Sequence, residues 1–276
     1  MNPVAIQIGP ISVRWYGLLI VAGILAATYV ATVEARRRGE DTEHVWNGLT
    51  LCIVFGIIGA RLYHVFSSPA DGSLGWWYYR NNPLAILKIW EGGLAIYGAV
   101  AGGAIGLFIY TRTSKLKFLR WADMAAPGVL LAQAIGRWGN FVNQEAYGPP
   151  TSLPWGIFIS PEKRIPGLED YERFHPVFFY ESMFCLIGFV LFMVFVRKWA
   201  VKLKDGDVIF AYMIYYPFGR FFIEFLRPDA WKLGSMAAAQ VFALIAVAIG
   251  VAGILFNHLR KRVPAAKPDE TASEGG

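Results

Sequence analysis

The most informative stretch of the chain, residues 121–148, reads W-A-D-M-A-A-P-G-V-L-L-A-Q-A-I-G-R-W-G-N-F-V-N-Q-E-A-Y-G. It begins as an apolar run that is long enough to cross about 30 Å of hydrocarbon as a helix. Its last part, residues 136–148, brings an arginine, two asparagines, a glutamine and a glutamate to the end of that run. An ionised side chain at bilayer depth costs about 2.5–3.5 kcal/mol, so such residues are rare there and usually functional. We therefore interpret this polar cluster as the centre of a site in a membrane-spanning bundle.

The composition of the whole chain indicates an integral membrane protein. Of its 276 residues, 55% are hydrophobic and only 17% are charged, whereas globular domains usually carry about 25% charged residues. The net charge is +6. The basic residues that produce it are scattered between apolar runs, which indicates cytoplasmic loops and no nucleic-acid partner. Cys52 and Cys185 lie inside apolar runs and are expected to be inert thiols. The N-terminus lacks a basic region and a small-residue cleavage pattern, so the first apolar run is expected to remain as a span.

Seven apolar runs are long enough to cross a bilayer, which predicts an all-α integral membrane protein with seven transmembrane helices. The predicted spans are residues 13–33, 45–66, 84–110, 121–142, 177–196, 208–226 and 235–256. Fifteen basic residues, against six on the opposite side, lie in the alternate connections, residues 34–44, 111–120, 197–207 and the tail from 257. This bias predicts an extracytoplasmic N-terminus and a cytoplasmic C-terminus.

Two further segments differ from ordinary short loops. Residues 144–176 contain six prolines and are predicted to form a small extracytoplasmic cap between spans four and five. Residues 264–276 are small and polar and are predicted to be a disordered cytoplasmic tail. The transmembrane domain, including the cap, is therefore predicted to cover residues 1–263.

Polar side chains from six of the seven spans fall at one depth, toward the outer leaflet. They are Arg14, Tyr16, Arg61, His64, Glu91, Tyr97, Arg137, Asn140, Asn143, Tyr180, Glu181, Tyr216, Arg220, Glu224 and Arg227. The last four step by four, four and three positions and are predicted to form one helical stripe. Such a stripe must face the bundle interior or a wet cavity, because lipid offers it no partner. With more arginines than local carboxylates, we expect an electropositive cavity that suits an anionic headgroup.

Plainer interpretations exist for several of these residues. Arg137 and Asn140 could simply form hydrogen bonds that hold helices together, and the Arg227 side chain could extend (snorkel) to the headgroups. Glu224 is expected to hold Arg220 in place rather than to carry a proton. No two histidines lie at ligand spacing, so no metal ion is predicted.

The polar blocks resemble a known family. Residues 136–148 look like the signature of bacterial prolipoprotein diacylglyceryl transferase, and four more blocks follow the family's order: R-W-Y-G at 14–17, W-E-G-G-L-A-I-Y-G at 90–98, H-P-V-F-F-Y-E at 175–181 and Y-P-F-G-R-F-F-I-E-F-L-R-P-D at 216–229. The resemblance implies a seven-span enzyme of the bacterial plasma (inner) membrane. Such an enzyme moves the diacylglyceryl group of phosphatidylglycerol to the lipobox cysteine of a prolipoprotein signal peptide, forming a thioether and releasing glycerol phosphate. This is the first step of bacterial lipoprotein maturation. We expect no cofactor, a monomer, and an active site toward the outer leaflet.

The resemblance also implies roles for individual residues. Arg137 and Arg220 match the two arginines that hold the lipid phosphate. The catalytic candidates are Arg137, Arg220, Tyr97 and Glu145. The expected phosphatidylglycerol-binding residues are Arg137, Asn140, Arg220, Tyr16 and Gly148. The expected supporting residues are Asn143, Tyr216, Glu224, Arg227 and Glu181.

One position departs from the family's pattern. Many members carry a histidine where this chain has Tyr97, and that histidine has been proposed as the base for the thiol. The attacking sulfur belongs to the substrate, so the chain needs no nucleophile of its own. A base is still required, because a free thiol has a pKa of about 8.5. Tyr97 and Glu145 both remain candidates for it.

Two other classes of function compete with the enzyme as interpretations of this sequence. A transporter or channel for an organic anion could use the arginines as a binding site, but it needs access from both faces. The inner halves of the predicted spans read as almost purely apolar, which favours an enzyme served from the outer leaflet. A non-catalytic scaffold would not explain so many buried charges.

Overall fold

The computed structural model describes residues 2–9, 11–67, 75–228, 230 and 232–259. In these ranges the chain is mostly helical, and the helices are α1 (Trp15–Arg37), α2 (Glu43–Phe66), α3 (Trp76–Asn81), α4 (Ile96–Thr113), α5 (Phe118–Asn143), α6 (Val177–Lys198), α7 (Asp207–Ile223) and α8 (Ala238–Leu259). Three antiparallel strand pairs accompany them, β1 (Val4–Ile8) with β2 (Ile11–Arg14), β3 (Ile157–Phe158) with β4 (Arg173–Phe174), and β5 (Lys232–Leu233) with β6 (Met236–Ala237). The predicted tail, 264–276, lies outside the described residues.

Membrane character is clearest in four helices. By length and composition, α1, α2, α6 and α8 can each cross a membrane. The same criterion does not select α4, α5 or α7, and α7 has only 17 residues. Each of the seven long helices in the described part of the chain overlaps one predicted span. The prediction of a helical protein is therefore confirmed, and four of its helices have the length and composition of membrane spans.

Helix α5 lies at the centre of the bundle. It packs against α1, α6 and α7, while α2 packs against α4 and α7 against α8. Small residues allow the close approach to α1: a Cβ atom at Gly128 would lie 2.6 Å from the carbonyl oxygen of Ala27. One buried cluster joins α5, α6 and α7 and consists of Ala126, Leu130, Phe192, Val196 and Val208. The helices that carry the candidate site residues thus share a packed core.

The predicted start of the third span is wrong. Two short 3₁₀ helices, Pro83–Leu87 and Ile89–Glu91, precede α4, which begins only at Ile96. Gly92 and Gly93 have φ angles of +98° and +74°, a backbone conformation that most residues avoid, so the chain turns here instead of continuing as a helix. The turn is held by the guanidinium of Arg61, which donates hydrogen bonds to the carbonyl oxygens of Ala85 (2.6 Å), Ile86 (2.9 Å), Gly92 (2.7 Å) and Gly93 (3.0 Å).

Residues 144–176 fold around a small apolar cluster of their own. The cluster consists of Tyr147, Ile159 and Phe174, all nearly inaccessible to solvent. The hydroxyl of Tyr147 donates a hydrogen bond to the Lys163 carbonyl (2.8 Å) and accepts one from the Ile165 amide (2.7 Å). The segment connects the end of α5 to the start of α6, the two helix ends that carry Arg137 and Glu181.

Candidate active site

Arg137 on α5 and Arg220 on α7 meet at a single carboxylate, that of Glu181 on α6. Arg137 Nη2 lies 2.5 Å from Glu181 Oε1, and Arg220 Nη1 lies 3.1 Å from Glu181 Oε2. The Glu181 side chain is only 2% exposed, against 23% for Arg137 and 13% for Arg220. One buried carboxylate therefore bridges two guanidinium groups from separate helices, and both arginines keep an accessible edge.

Two further side chains of the predicted stripe complete this cluster. The hydroxyl of Tyr216 accepts a hydrogen bond from Arg137 Nη2 (3.2 Å) and donates one to Glu181 Oε1 (3.1 Å). Glu224 Oε2 lies 2.6 Å from Arg220 Nη2, so Glu224 contacts the residue that it is expected to hold. Arg227 follows the 3₁₀ turn Glu224–Leu226 with an extended backbone and thus lies outside the helical stripe.

The charges in the cluster balance. Arg137 and Arg220 carry two positive charges, and Glu181 and Glu224 carry two negative ones. The expected excess of arginine over local carboxylate is therefore wrong for this pair, because Glu181 faces inward and is shared by both. A phosphate that enters must compete with or add to a set of ion pairs that already exists.

Small residues and one buried hydrogen bond bring the three helices together. Ser182 Oγ donates a hydrogen bond of 2.8 Å to the carbonyl oxygen of Ala134, which joins α6 to α5. The ring of Phe184 lies where a Cβ atom at Gly219 would be, which brings α6 close to α7. Interhelical contacts through small residues of this kind are typical of membrane bundles.

The end of α5 turns sharply at the signature stretch. Gln144 and Ala146 have φ angles of 55° and 54°, so the chain reverses within a few residues. The turn brings Glu145 back to the helix end, where its Oε1 accepts hydrogen bonds from Asn140 Nδ2 (3.0 Å) and Asn143 Nδ2 (3.3 Å). Asn140 Oδ1 in turn lies 3.5 Å from Arg137 Nη1. The exposed carboxylate of Glu145 is therefore linked to the arginine pair through one asparagine.

Gly148 lies where the signature stretch meets the start of α6. Its amide donates a hydrogen bond of 2.9 Å to the His175 carbonyl. A Cβ atom here would lie 2.7 Å from His175 Cβ and 2.9 Å from Val177 Cγ2, so only glycine fits. The structure gives Gly148 a packing reason, and its predicted contact with lipid stays a prediction.

The candidate tyrosines Tyr16 and Tyr97 are each near a different arginine of the pair. The ring of Tyr16 packs against Gly139 of α5, within electrostatic range of Glu145 and Arg137. Tyr97 lies between α2 and α8, with its ring 5.9 Å from that of Tyr63 and 5.5 Å from that of Phe242. It is 45% exposed and within electrostatic range of Arg220 and Glu224. In the described part of the chain, no hydrogen bond joins Tyr97 to the cluster.

Not all polar residues of the predicted level belong to the site. The guanidinium of Arg61 is engaged by backbone carbonyls, as described above, and His64 Nε2 pairs with the hydroxyl of Tyr79 at 3.1 Å. Within the described ranges, no group of three or more His, Cys, Asp or Glu side chains is arranged to hold a metal ion.

The bridging role of Glu181 is a feature that sequence reasoning missed, since Glu181 is expected there only as a supporting residue. A signal was present: Glu181 is the single acidic residue of α6, an otherwise apolar helix. A lone carboxylate at bilayer depth needs a partner. What the sequence did not reveal is that the partner would be two arginines at once.

The fold and the site together define a multi-pass membrane protein with a buried arginine–carboxylate cluster at one end of its helix bundle. Comparison with known proteins identifies the family. The chain matches the model of the prolipoprotein diacylglyceryl transferase family over residues 3–256. It therefore belongs to the prolipoprotein diacylglyceryl transferase family.

Individual relatives agree over almost the whole chain. The chain is 41% identical over 275 residues to a phosphatidylglycerol–prolipoprotein diacylglyceryl transferase of Nostoc sp., with 96% of this chain and 94% of the relative covered. It is 41% identical over 274 residues to the enzyme of that name in Lysinibacillus sphaericus, with 97% and 96% covered. For the Chloroflexus aggregans enzyme of that name, the identity is 40% over 287 residues, with 96% and 92% covered.

Proposed function

We propose that this protein transfers the diacylglyceryl group of phosphatidylglycerol to the thiol of the lipobox cysteine of prolipoproteins. Membership of the family supports this transferase activity, and the names of the relatives supply the two substrates. The observation that carries the proposal is the convergence of Arg137 and Arg220, from separate helices, at Glu181.

The reaction balances without a cofactor and without a nucleophile from the chain. The substrate sulfur forms a bond to a glycerol carbon of the lipid, and the bond from that carbon to the phosphate oxygen breaks. The electron pair leaves with glycerol phosphate, and the thiol proton passes to a base. Negative charge grows on the departing phosphate, so fixed positive charge in a water-poor site is the suitable stabiliser.

Arginine suits this task for two reasons. It stays protonated when partly buried, and its planar fork binds phosphate oxygens in pairs. We propose that the accessible edges of Arg137 and Arg220 bind the lipid phosphate, with Tyr16, Asn140 and Gly148 around it. For the base, Tyr97 and Glu145 both remain candidates. The exposed Glu145 is linked to Arg137 through Asn140, whereas the partly exposed Tyr97 is within electrostatic range of Arg220.

We further propose a membrane arrangement. All seven long helices cross the bacterial plasma membrane as one catalytic domain, residues 1–263, of a monomer, with the N-terminus outside and the C-terminus in the cytoplasm. The active site then faces the outer leaflet under residues 144–176, which form an extracytoplasmic cap. The distribution of Lys and Arg supports this orientation.

The test is a transfer assay with purified protein in detergent, phosphatidylglycerol and a synthetic lipobox peptide. The thioether product and the released glycerol phosphate are both measured. We expect R137A and R220A each to lose at least about 10²-fold in kcat while still inserting into the membrane. The matched control is R37A, because Arg37 also pairs with a buried carboxylate, that of Glu34 at 2.7 Å, but on α1 outside the cluster. Near-normal transfer by either cluster variant, or no thioether from the unsubstituted protein, would contradict the proposal.

A further inference from the structure

Glu181 is engaged on both of its carboxylate oxygens. Oε1 forms an ion pair with Arg137 and accepts a hydrogen bond from the hydroxyl of Tyr216, and Oε2 forms an ion pair with Arg220. These three partners lie on two other helices, so the carboxylate is the point at which α5, α6 and α7 are tied together. Nothing in the transfer chemistry requires an acid at this position.

We propose that Glu181 is the positioning residue of the phosphate site, whose buried carboxylate holds Arg137 and Arg220 at the spacing at which both can grip one phosphate group. This inference rests on the proposed function. It assigns to Glu181 a role that acts through the two arginines and not through contact with the reacting atoms.

Accessibility separates the two roles. The Glu181 side chain is 2% exposed, whereas those of Arg137 and Arg220 are 23% and 13% exposed. Glu181 therefore lies behind the guanidinium groups, and an incoming anion meets the arginines first. A guanidinium has five N–H donors, so one that turns an edge toward Glu181 still has donors for a phosphate.

The geometry also requires a negative charge behind the pair. Two neighbouring guanidinium groups repel each other, and the repulsion is strong where water is scarce. A carboxylate that contacts both offsets the repulsion and keeps them together before substrate arrives. Such preorganised charge stabilises a developing anion without reorganisation at the moment of reaction.

Glu181 does not serve as the base for the thiol. Both of its oxygens already accept from Arg137, Tyr216 or Arg220, and its burial leaves a peptide thiol no approach. A substitution should therefore disturb the alignment of the arginines rather than remove a proton acceptor.

The experiment is steady-state kinetics of E181Q in mixed micelles, with kcat and the KM for phosphatidylglycerol determined separately. Glutamine keeps the shape but removes the charge. We expect kcat to fall about 10²-fold, because the arginines lose their alignment. We expect KM to fall as well, because the cluster then has one negative charge, that of Glu224, against two arginines and attracts the anionic lipid more strongly. A loss of folded protein alone would lower apparent kcat and leave KM unchanged.

The matched control is E34Q. Glu34 is fully buried and paired with Arg37 at 2.7 Å, but it lies outside the cluster, so kcat and KM should both remain at the unsubstituted values. If E181Q does not insert, Y216F decides: it removes the hydroxyl that donates to Glu181 Oε1 and should lower kcat without raising KM.

The remaining outcomes overturn the inference. Unchanged kcat in E181Q, or a lower kcat with unchanged KM, excludes the positioning role, and so does unchanged kcat in Y216F when that variant decides. Loss of lipid binding in R137A or R220A together with normal E181Q kinetics overturns this inference alone. Near-normal transfer by R137A or R220A, or no thioether from the unsubstituted protein, overturns the proposed function instead.

Discussion

Ser182 on α6 donates a buried hydrogen bond of 2.8 Å to the backbone carbonyl oxygen of Ala134 on α5. Ser182 directly follows Glu181, and Ala134 lies about one turn before Arg137. The bond therefore joins the two helices at the level of the ion pair between Glu181 and Arg137. It is a second, uncharged link that fixes the same contact.

Replacement of Ser182 by alanine should weaken this link. We expect S182A to lower the free energy of unfolding by about 1 kcal/mol, since interhelical hydrogen bonds in membranes contribute amounts of that size. Denaturation in mixed micelles measures the change. The control is T50A, because Thr50 is exposed and its hydroxyl bonds to the Trp46 carbonyl within its own helix. Equal stability of S182A and T50A would show that the link contributes nothing.

Gly148 offers a steric test of the signature stretch. A Cβ atom at this position would lie 2.7 Å from His175 Cβ, so G148A must displace the turn or the start of α6. We expect a loss of about 1–3 kcal/mol in stability, as for other overpacked sites, and a lower transfer rate because Glu145 and Asn140 move. Thermal unfolding and the transfer assay measure the two effects.

Gly136 supplies the control, because a Cβ atom there meets nothing within 4 Å. It lies in α5, twelve positions before Gly148 in the same signature stretch, so G136A should keep both stability and transfer. A G148A protein that behaves like G136A would mean that the turn has more room than the contacts indicate.

Much of the helix pattern could be predicted from the sequence, because apolar runs of membrane length leave few alternatives. The error at residues 84–95 has a specific cause. This stretch is apolar enough to read as a span, but Gly92 and Gly93 adopt positive φ angles that end any helix. Hydropathy does not record that conformation, and Arg61, which holds the turn, lies on another helix.

The candidate site was predictable in its members but not in its pairing. Depth along each span placed Arg137 and Arg220 together, since both follow long apolar runs. Which carboxylate faces inward depends on helix rotation, which neither length nor charge count determines. The expectation of almost purely apolar inner halves also fails, because Asp123 is buried toward the other end of α5. Its hydrogen-bond donors are two backbone amides, which a sequence does not show, and Arg38 Nη1 lies 3.9 Å from its carboxylate.

Asp123 ties the start of α7 to α5. Its carboxylate accepts hydrogen bonds from the amides of Gly206 (2.7 Å) and Ile209 (2.8 Å), which are free donors at a helix N-terminus. D123N keeps one acceptor oxygen but turns an NH₂ group toward an amide. We expect a loss of about 1–3 kcal/mol in unfolding free energy, with KM for phosphatidylglycerol unchanged because the site is remote.

The control for this change is D41N. Asp41 accepts a hydrogen bond from the Glu43 amide at 2.9 Å in the same manner, but it is exposed. Its replacement should cost no more than about 0.5 kcal/mol. Equal melting temperatures for D123N and D41N would show that the buried contact does not hold α7. A raised KM for phosphatidylglycerol in D123N would show that the contact at Asp123 does affect the arginine site.

Arg61 tests whether every arginine of the outer polar level serves the lipid. Its guanidinium donates to four backbone carbonyls before α4, so we expect it to hold Tyr97 in place through the backbone and not to bind phosphate. Lysine carries its donors on one nitrogen and cannot span these carbonyls. R61K should therefore destabilise the turn by about 2 kcal/mol and speed amide hydrogen exchange at residues 85–95.

Equilibrium binding of phosphatidylglycerol by the folded R61K protein should remain, in contrast to R137A and R220A. R80K, at an exposed arginine near Trp77, should change neither quantity. Lost lipid binding with unchanged exchange in R61K would instead place Arg61 among the phosphate ligands.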